Sequence, residues 1–155
     1  MTDGTVLSLQ ILTHHGERPR AVPDVRALPG HGLEGDIHGK SRSGSGRQVL
    51  IVDRTALDAF GLRPGDLREQ ITASFAALET LPTGTLLQAG EVTLELTGPC
   101  EPCTHIGGLN GVVDPIAFQK ALDGRRGQLA LVRGVEGEGR IRVGDRIAVR
   151  TPAPR

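Results

Sequence analysis

A chain of 155 residues is long enough for one domain with a real core and too short for two comfortable ones. Its 18 basic and 18 acidic side chains cancel, so no global charge draws it to nucleic acid or to an anionic membrane, and any anion site has to be local. With three Phe and no Trp or Tyr it lacks the stacking platforms of single-strand binders, and no run approaches the roughly 18 apolar residues of a bilayer span.

The first twenty residues carry an apolar run broken by Ser8 and Gln10, with no basic start and no cleavage signature, so no signal peptide is read there. Two cysteines without a secretion signal imply a reducing compartment, and the expected location is cytoplasmic. In chain order, strands are expected over Thr5–Leu12, Gln48–Val52, Leu67–Phe75, Glu91–Thr97, Gln128–Arg133 and Arg146–Arg150. The clearest alternation is Val92, Leu94 and Leu96 against polar neighbours. Helices are expected over Arg54–Phe60 and Pro115–Leu122, the second with Asp114 as N-cap and Pro115 at the first helical position. The abundant glycine (22) and proline (10) supply turns, with Gly-acid pairs at 35–36, 65–66, 90–91 and 144–145. Short strands at close spacing with two short helices predict a mainly β fold, a closed or nearly closed β-barrel. One domain is expected over residues 1–150, with a disordered tail over 151–155.

Both cysteines lie in Gly98-Pro-Cys-Glu-Pro-Cys-Thr-His-Ile106. A thioredoxin-type dithiol requires a helix after the first cysteine, and the Thr-His-Ile-Gly-Gly-Leu-Asn-Gly that follows does not sustain one. Zinc would take Cys100, Cys103 and His105, with a fourth ligand from His14, His15, His31 or His38, and no second ligand pair supports it. Two inert, buried side chains and a single reactive thiol both remain open.

The second constellation runs from Gly32 to Val49. Between Lys40 and Arg47 lie three cations, three serines and two glycines without a carboxylate. Such a loop offers backbone amides with Lys40, Arg42 and Arg47 to a phosphate, although the P-loop order is absent and a solvated loop is the alternative. His38 is a candidate general acid or hydrogen-bond partner.

Together these stretches resemble the MOSC domain, the module found at the C-terminal end of molybdenum cofactor sulfurases and as small free-standing bacterial proteins. The matching residues are Gly35-Asp36-Ile37-His38-Gly39, Arg47-Gln48-Val49, Arg68-Glu69-Gln70-Ile71, Cys100-Glu101-Pro102-Cys103 and Gly139 to Asp145, in the family's order. Ile37 and Gln70 stand where many relatives have Arg and Asn. The resemblance implies a barrel of the pyruvate-kinase-barrel type and molybdenum cofactor (molybdopterin) as ligand. It implies that Cys103 is the reactive sulfur, as a persulfide carrier or a molybdenum ligand, with Cys100 placed to resolve a persulfide or mixed disulfide. Asp36, His38, Arg47 and Gln48 would line the same cleft, and Gln70 would bond the ligand. The sulfurases' pyridoxal-phosphate domain has no counterpart in these residues, so a sulfur donor or acceptor protein is the expected partner, or a separate redox partner if the chain serves a reductase of N-hydroxylated compounds. Enzyme and passive carrier are not separated by the sequence. The competing class is a ligand-binding or interaction barrel with inert cysteines.

Overall fold

The computed structural model describes residues 3–37, 47–100 and 110–150. The called tail over 151–155 lies outside them. The strands are β1 (Asp3–Ile11), β2 (Arg20–Val22), β3 (Asp24–Leu28), β4 (Gly32–Leu33), β5 (Val49–Asp53), β6 (Ile71–Ser74), β7 (Leu86–Ala89), β8 (Val92–Pro99), β9 (Gln128–Val135), β10 (Arg140–Arg142) and β11 (Arg146–Val149). The helices are α1 (Arg54–Ala59) and α2 (Pro115–Ala121), with a 3-10 turn over Leu78–Thr80.

Seven of the described strands close on themselves in the order β11-β7-β8-β9-β5-β6-β1, and β1 pairs back to β11. A register shift between Val6 and Ser8 lets β1 bend, serving β11 at one end and β2 at the other while β6 runs along it. The barrel is antiparallel except at β5–β6, where Ile51 faces Ile71 in a parallel pair. A parallel pair needs a crossover of a dozen or more residues. Here it is residues 54–70, which carry α1. Strands β10, β3 and β4 form a second small sheet.

The alternation along β5 sorts two cores. Val49 and Ile51 face the barrel interior with Leu9, Ile71, Leu94 and Leu96, whereas Leu50 and Val52 face outward onto Leu57, Leu67, Phe118 and Leu122. The outer core is closed by α1 and α2, where Phe60, just past α1, and Phe118 of α2 meet edge to face at 5.4 Å. Asp114 caps α2 by accepting the Ala117 N–H at 3.1 Å, with Pro115 in the first turn, as the sequence leads one to expect.

Two expectations change. The strand called over Leu67–Phe75 is confined to Ile71–Ser74, because Leu67 to Gln70 turn: Arg68 has φ +65, the left-handed region that no strand residue occupies. Strands β2, β3, β4, β7 and β10, of two to five residues, lack enough alternation to announce themselves. No helix among the described residues is long and apolar enough to cross a membrane.

Candidate functional site

The basic loop and the cysteine loop both leave from and return to described residues, and the segment Gly65–Gln70 touches an anchor of each. Gln70 sits immediately before β6. Its backbone N–H donates to Leu50 O at 3.1 Å, and its side-chain Oε1 accepts the Leu50 N–H at 2.7 Å. Gln70 therefore satisfies both backbone groups of Leu50 just where parallel pairing begins. Its Nε2 donates to both oxygens of Asp36, at 3.4 and 3.2 Å. Asp36 Oδ2 also accepts the Leu12 N–H at 2.8 Å, while Ile37 N–H donates to Leu12 O. The start of the basic loop is thereby pinned to the end of β1.

The far side of that loop returns at Arg47 and Gln48. Gln48 is buried, and its Oε1 accepts the Val132 N–H at 2.9 Å, extending the β5–β9 ladder by one side-chain bond. Arg47 is exposed beside it. Of the residues named from sequence, Asp36, Gln48 and Gln70 thus gather around the first residues of β5, each holding backbone. His38, Lys40 and Arg42 lie outside the described residues.

The cysteine loop starts elsewhere. Cys100 follows β8, donates its N–H to Gly127 O at 2.8 Å, and packs half-buried against the outer core. Gly127 and Val132 are about 16 Å apart along β9 at 3.3 Å per residue, so Cys100 does not join the Gln48 group. The loop's other described anchor is Asn110, whose Nδ2 donates to Asp66 O at 2.8 Å. Cys103, the residue on which the sulfur and metal roles were placed, lies outside the described residues, as do Glu101 and His105.

Beside Asn110 is a cavity of about 250 Å³ lined by Gly16, Arg18, Pro19, Gly65, Asp66, Arg68 and Asn110. Arg18 ion-pairs with Asp66 and donates to Pro64 O at 3.2 Å, and Asp66 in turn accepts the Arg63 N–H at 2.7 Å. Arg68 donates to Glu17 O. It is the only described non-glycine residue at positive φ, and such a conformation costs about 1–3 kcal/mol. Partial burial, then the like charge of Arg18, lowers the Arg68 pKa from the ordinary guanidinium value. Two guanidiniums against one carboxylate leave the cavity net positive, the electrostatics of an anion site. Gly65, at φ +91, lets the chain turn here and keeps the wall free of a side chain.

Under this wall lies Glu69, fully buried. Its Oε1 accepts the Leu67 N–H at 3.2 Å and its Oε2 accepts the Thr72 hydroxyl at 2.9 Å, while Gln10 Nε2 donates to Glu69 O at 3.3 Å and Thr72 Oγ1 at 3.1 Å. Burial pushes the Glu69 carboxyl up, against the lowering pull of these hydrogen bonds. The polar knot fixes the turn that aims Arg68.

Reading the sequence missed Arg18, Arg68 and Asn110 as site residues. Arg68 stood inside a matched stretch and was passed over for Gln70. Nothing in the pattern around Arg18 or Asn110 marks them, because they meet only through the tertiary path of Asp66.

The MOSC domain profile matches residues 34–148, which include Asp36, Gln48, Gln70, Cys100 and Asn110. No curated protein matches the sequence. Among solved structures, the fold is similar to the YuaD protein of Bacillus subtilis, with TM-score 0.79, 20% identity and 94% of each chain covered. It is also similar to YiiM of Escherichia coli (TM-score 0.70, 14% identity, 97% of this chain and 71% of that one) and to YiiM of Geobacillus stearothermophilus (0.70, 15%, 96% and 75%). At these identities the likeness is one of fold. With the barrel, the ordered motifs and a profile match over most of its length, the chain belongs to the MOSC domain family, a family associated with the molybdenum cofactor.

Proposed function

We propose that the protein binds the molybdenum cofactor, its phosphate held by Arg18, Arg68 and Asn110, with Cys103 as the reactive sulfur. The observation that carries this reading is the net-positive cavity of about 250 Å³ at the Asn110 anchor of the cysteine loop. Its lining is charged and polar, which suits the phosphate end of the cofactor. The two guanidiniums supply charge-assisted donors, and a cysteine thiolate is the soft ligand that suits the metal end. When bound, the cofactor supplies redox and sulfur-transfer chemistry at molybdenum.

The chain's own residues divide the remaining work. Gln70, Asp36 and Gln48 act through backbone, holding the two ends of the basic loop in register with β5 and β9. Glu69 and Thr72 hold the turn that presents Arg68. Lys40, Arg42 and Arg47 add positive charge along the loop that Asp36 and Gln48 bracket, and His38 is the candidate proton donor there. As a thiolate Cys103 ligates metal, and as a persulfide it carries sulfane sulfur. In the second case attack by the Cys100 thiolate on the Cys103 sulfur expels hydrosulfide and leaves a Cys100–Cys103 disulfide, which a two-electron thiol reductant reopens.

The test compares binding of a phosphorylated pterin with its dephosphorylated form in wild type, Arg18→Ala and Arg68→Ala. The expected result is at least a tenfold loss for the phosphorylated form and little change for the other. Equal losses for both forms would contradict the assignment of the phosphate to this cavity.

A further inference from the structure

We infer that Arg126 is the buried cation of a phosphate-binding site at the Cys100 end of the β8–β9 ladder, distinct from the Arg18–Arg68 cavity. Arg126 precedes Gly127, the residue before β9, and only 7% of its surface is exposed. Its Nε and Nη1 are buried and meet no hydrogen-bond partner among the described residues. A guanidinium carries its charge on a rigid fork of N–H donors shaped for carboxylate or phosphate oxygens. Burying such a charge without an opposite one is among the costlier arrangements a fold can hold.

No described carboxylate takes the role of counter-charge. Glu79 comes closest along the hydrogen-bond chain, and its Oε1 is committed to the Gly127 N–H at 2.8 Å. Burial, together with the like charge of Asp53, pushes the Glu79 carboxyl up, whereas a guanidinium against it would pull it down.

The position is fixed by the sheet. Pro99 pairs with Gln128, Cys100 N–H donates to Gly127 O, and Arg126 comes one step further along the same ladder. Gly127 has φ +99, and a Cβ there would lie 2.4 Å from Ile51 O, so the chain is pressed onto β5 and Arg126 is held at a set depth. A guanidinium with unmet N–H donors beside the exit of a reactive-cysteine loop recognises a phosphate oxygen, whether of free phosphate or of a phosphomonoester. The site goes beyond the proposed function and does not depend on molybdenum.

The experiment follows the melting temperature of the metal-free protein against inorganic phosphate, and separately against phenyl phosphate, at constant ionic strength. Wild type and Arg68→Ala are each measured with and without Arg126→Met. The expected result is a saturable rise that survives Arg68→Ala and disappears with Arg126→Met. Arg126→Met should also melt higher than wild type in phosphate-free buffer, because it removes an unpaired buried charge. If Arg126→Met fails to fold, Arg126→Lys keeps the charge without the guanidinium and should weaken phosphate at least tenfold. A response to phosphate alone marks a closed site for the free ion, and a response to both marks one open to a monoester. A response that disappears with Arg68→Ala and survives Arg126→Met overturns the inference and leaves the proposed function standing, and no response in any variant overturns it as well.

Discussion

Gln70 joins Asp36 to Leu50: one amide donates to the Asp36 carboxylate at 3.4 and 3.2 Å and accepts the Leu50 N–H at 2.7 Å. Through this one side chain the start of the basic loop is tied to the strand at which that loop ends. Shortening it to Gln70→Asn cannot span both partners, and Gln70→Leu takes the donor from both Asp36 oxygens and the acceptor from the Leu50 N–H. A buried N–H left without its acceptor costs about 1–3 kcal/mol, and a chain of this size loses about 2–4 °C per kcal/mol. Thermal melts should therefore show Gln70→Leu lower by several degrees, and Asp36→Ala likewise. Unchanged melting of both would mean the tie is dispensable.

Arg68 makes a different prediction, because its backbone is strained for any residue but glycine. Arg68→Gly relieves about 1 kcal/mol of conformational cost while deleting a cation from the cavity. Its melting temperature should be equal to or above that of Arg68→Ala, with the same loss of phosphorylated-ligand binding. A large fall in stability for Arg68→Gly would make Arg68 a structural residue.

Glu69 links pH to stability. Its folded pKa is raised by burial above the ordinary 4.5, so the folded state holds a proton that the unfolded chain releases. The contribution is fully present below the ordinary value and is lost as pH rises through the folded one. Glu79 is raised in the same direction, also chiefly by burial. Denaturant melts across this window should show stability falling with rising pH, and Glu69→Gln should flatten the slope by removing one of the two raised carboxyls among the described residues. An undiminished slope in Glu69→Gln would assign the dependence to other groups.

Gly127 tests the packing that positions Cys100. A Cβ at this residue would meet Ile51 O at 2.4 Å and Val52 Cγ2 at 2.8 Å, at a φ that L side chains rarely adopt. Gly127→Ala should lower stability by about 1–3 kcal/mol, the range of overpacking and of strained backbone positions. It should also speed modification of Cys100 by a disulfide reagent. Wild-type reactivity with lowered stability would show that the Cys100 anchor survives the clash.

The long barrel strands were legible because one face alternates: Val92, Leu94 and Leu96 point to the interior, and β8 is found there. The Asp114–Pro115 helix start was legible because capping is local chemistry. What escaped was set by distant partners. Leu67 to Phe75 reads as a strand since its apolar residues alternate, yet Glu69 is buried by the tertiary knot with Gln10 and Thr72, and Arg68 is turned out of the strand region by it. The same holds at the site. Asp36, Gln48 and Gln70 were named as ligand contacts, and the structure shows what else they do, which is hold Leu12, Val132 and Leu50. Arg18 and Arg68 face one cavity only because residues 16–19 and 65–68 are brought together across the fold.

The most direct measurement is the molybdenum and sulfane-sulfur content of freshly purified protein from a cofactor-producing host, wild type beside Cys103→Ser and Arg68→Ala. The account predicts that metal, or a reducible mass increase of one sulfur, is present in wild type and lost in Cys103→Ser, with bound cofactor reduced in Arg68→Ala. Equal and negligible loading of all three under cofactor-replete conditions would contradict it and leave the barrel a scaffold with inert cysteines.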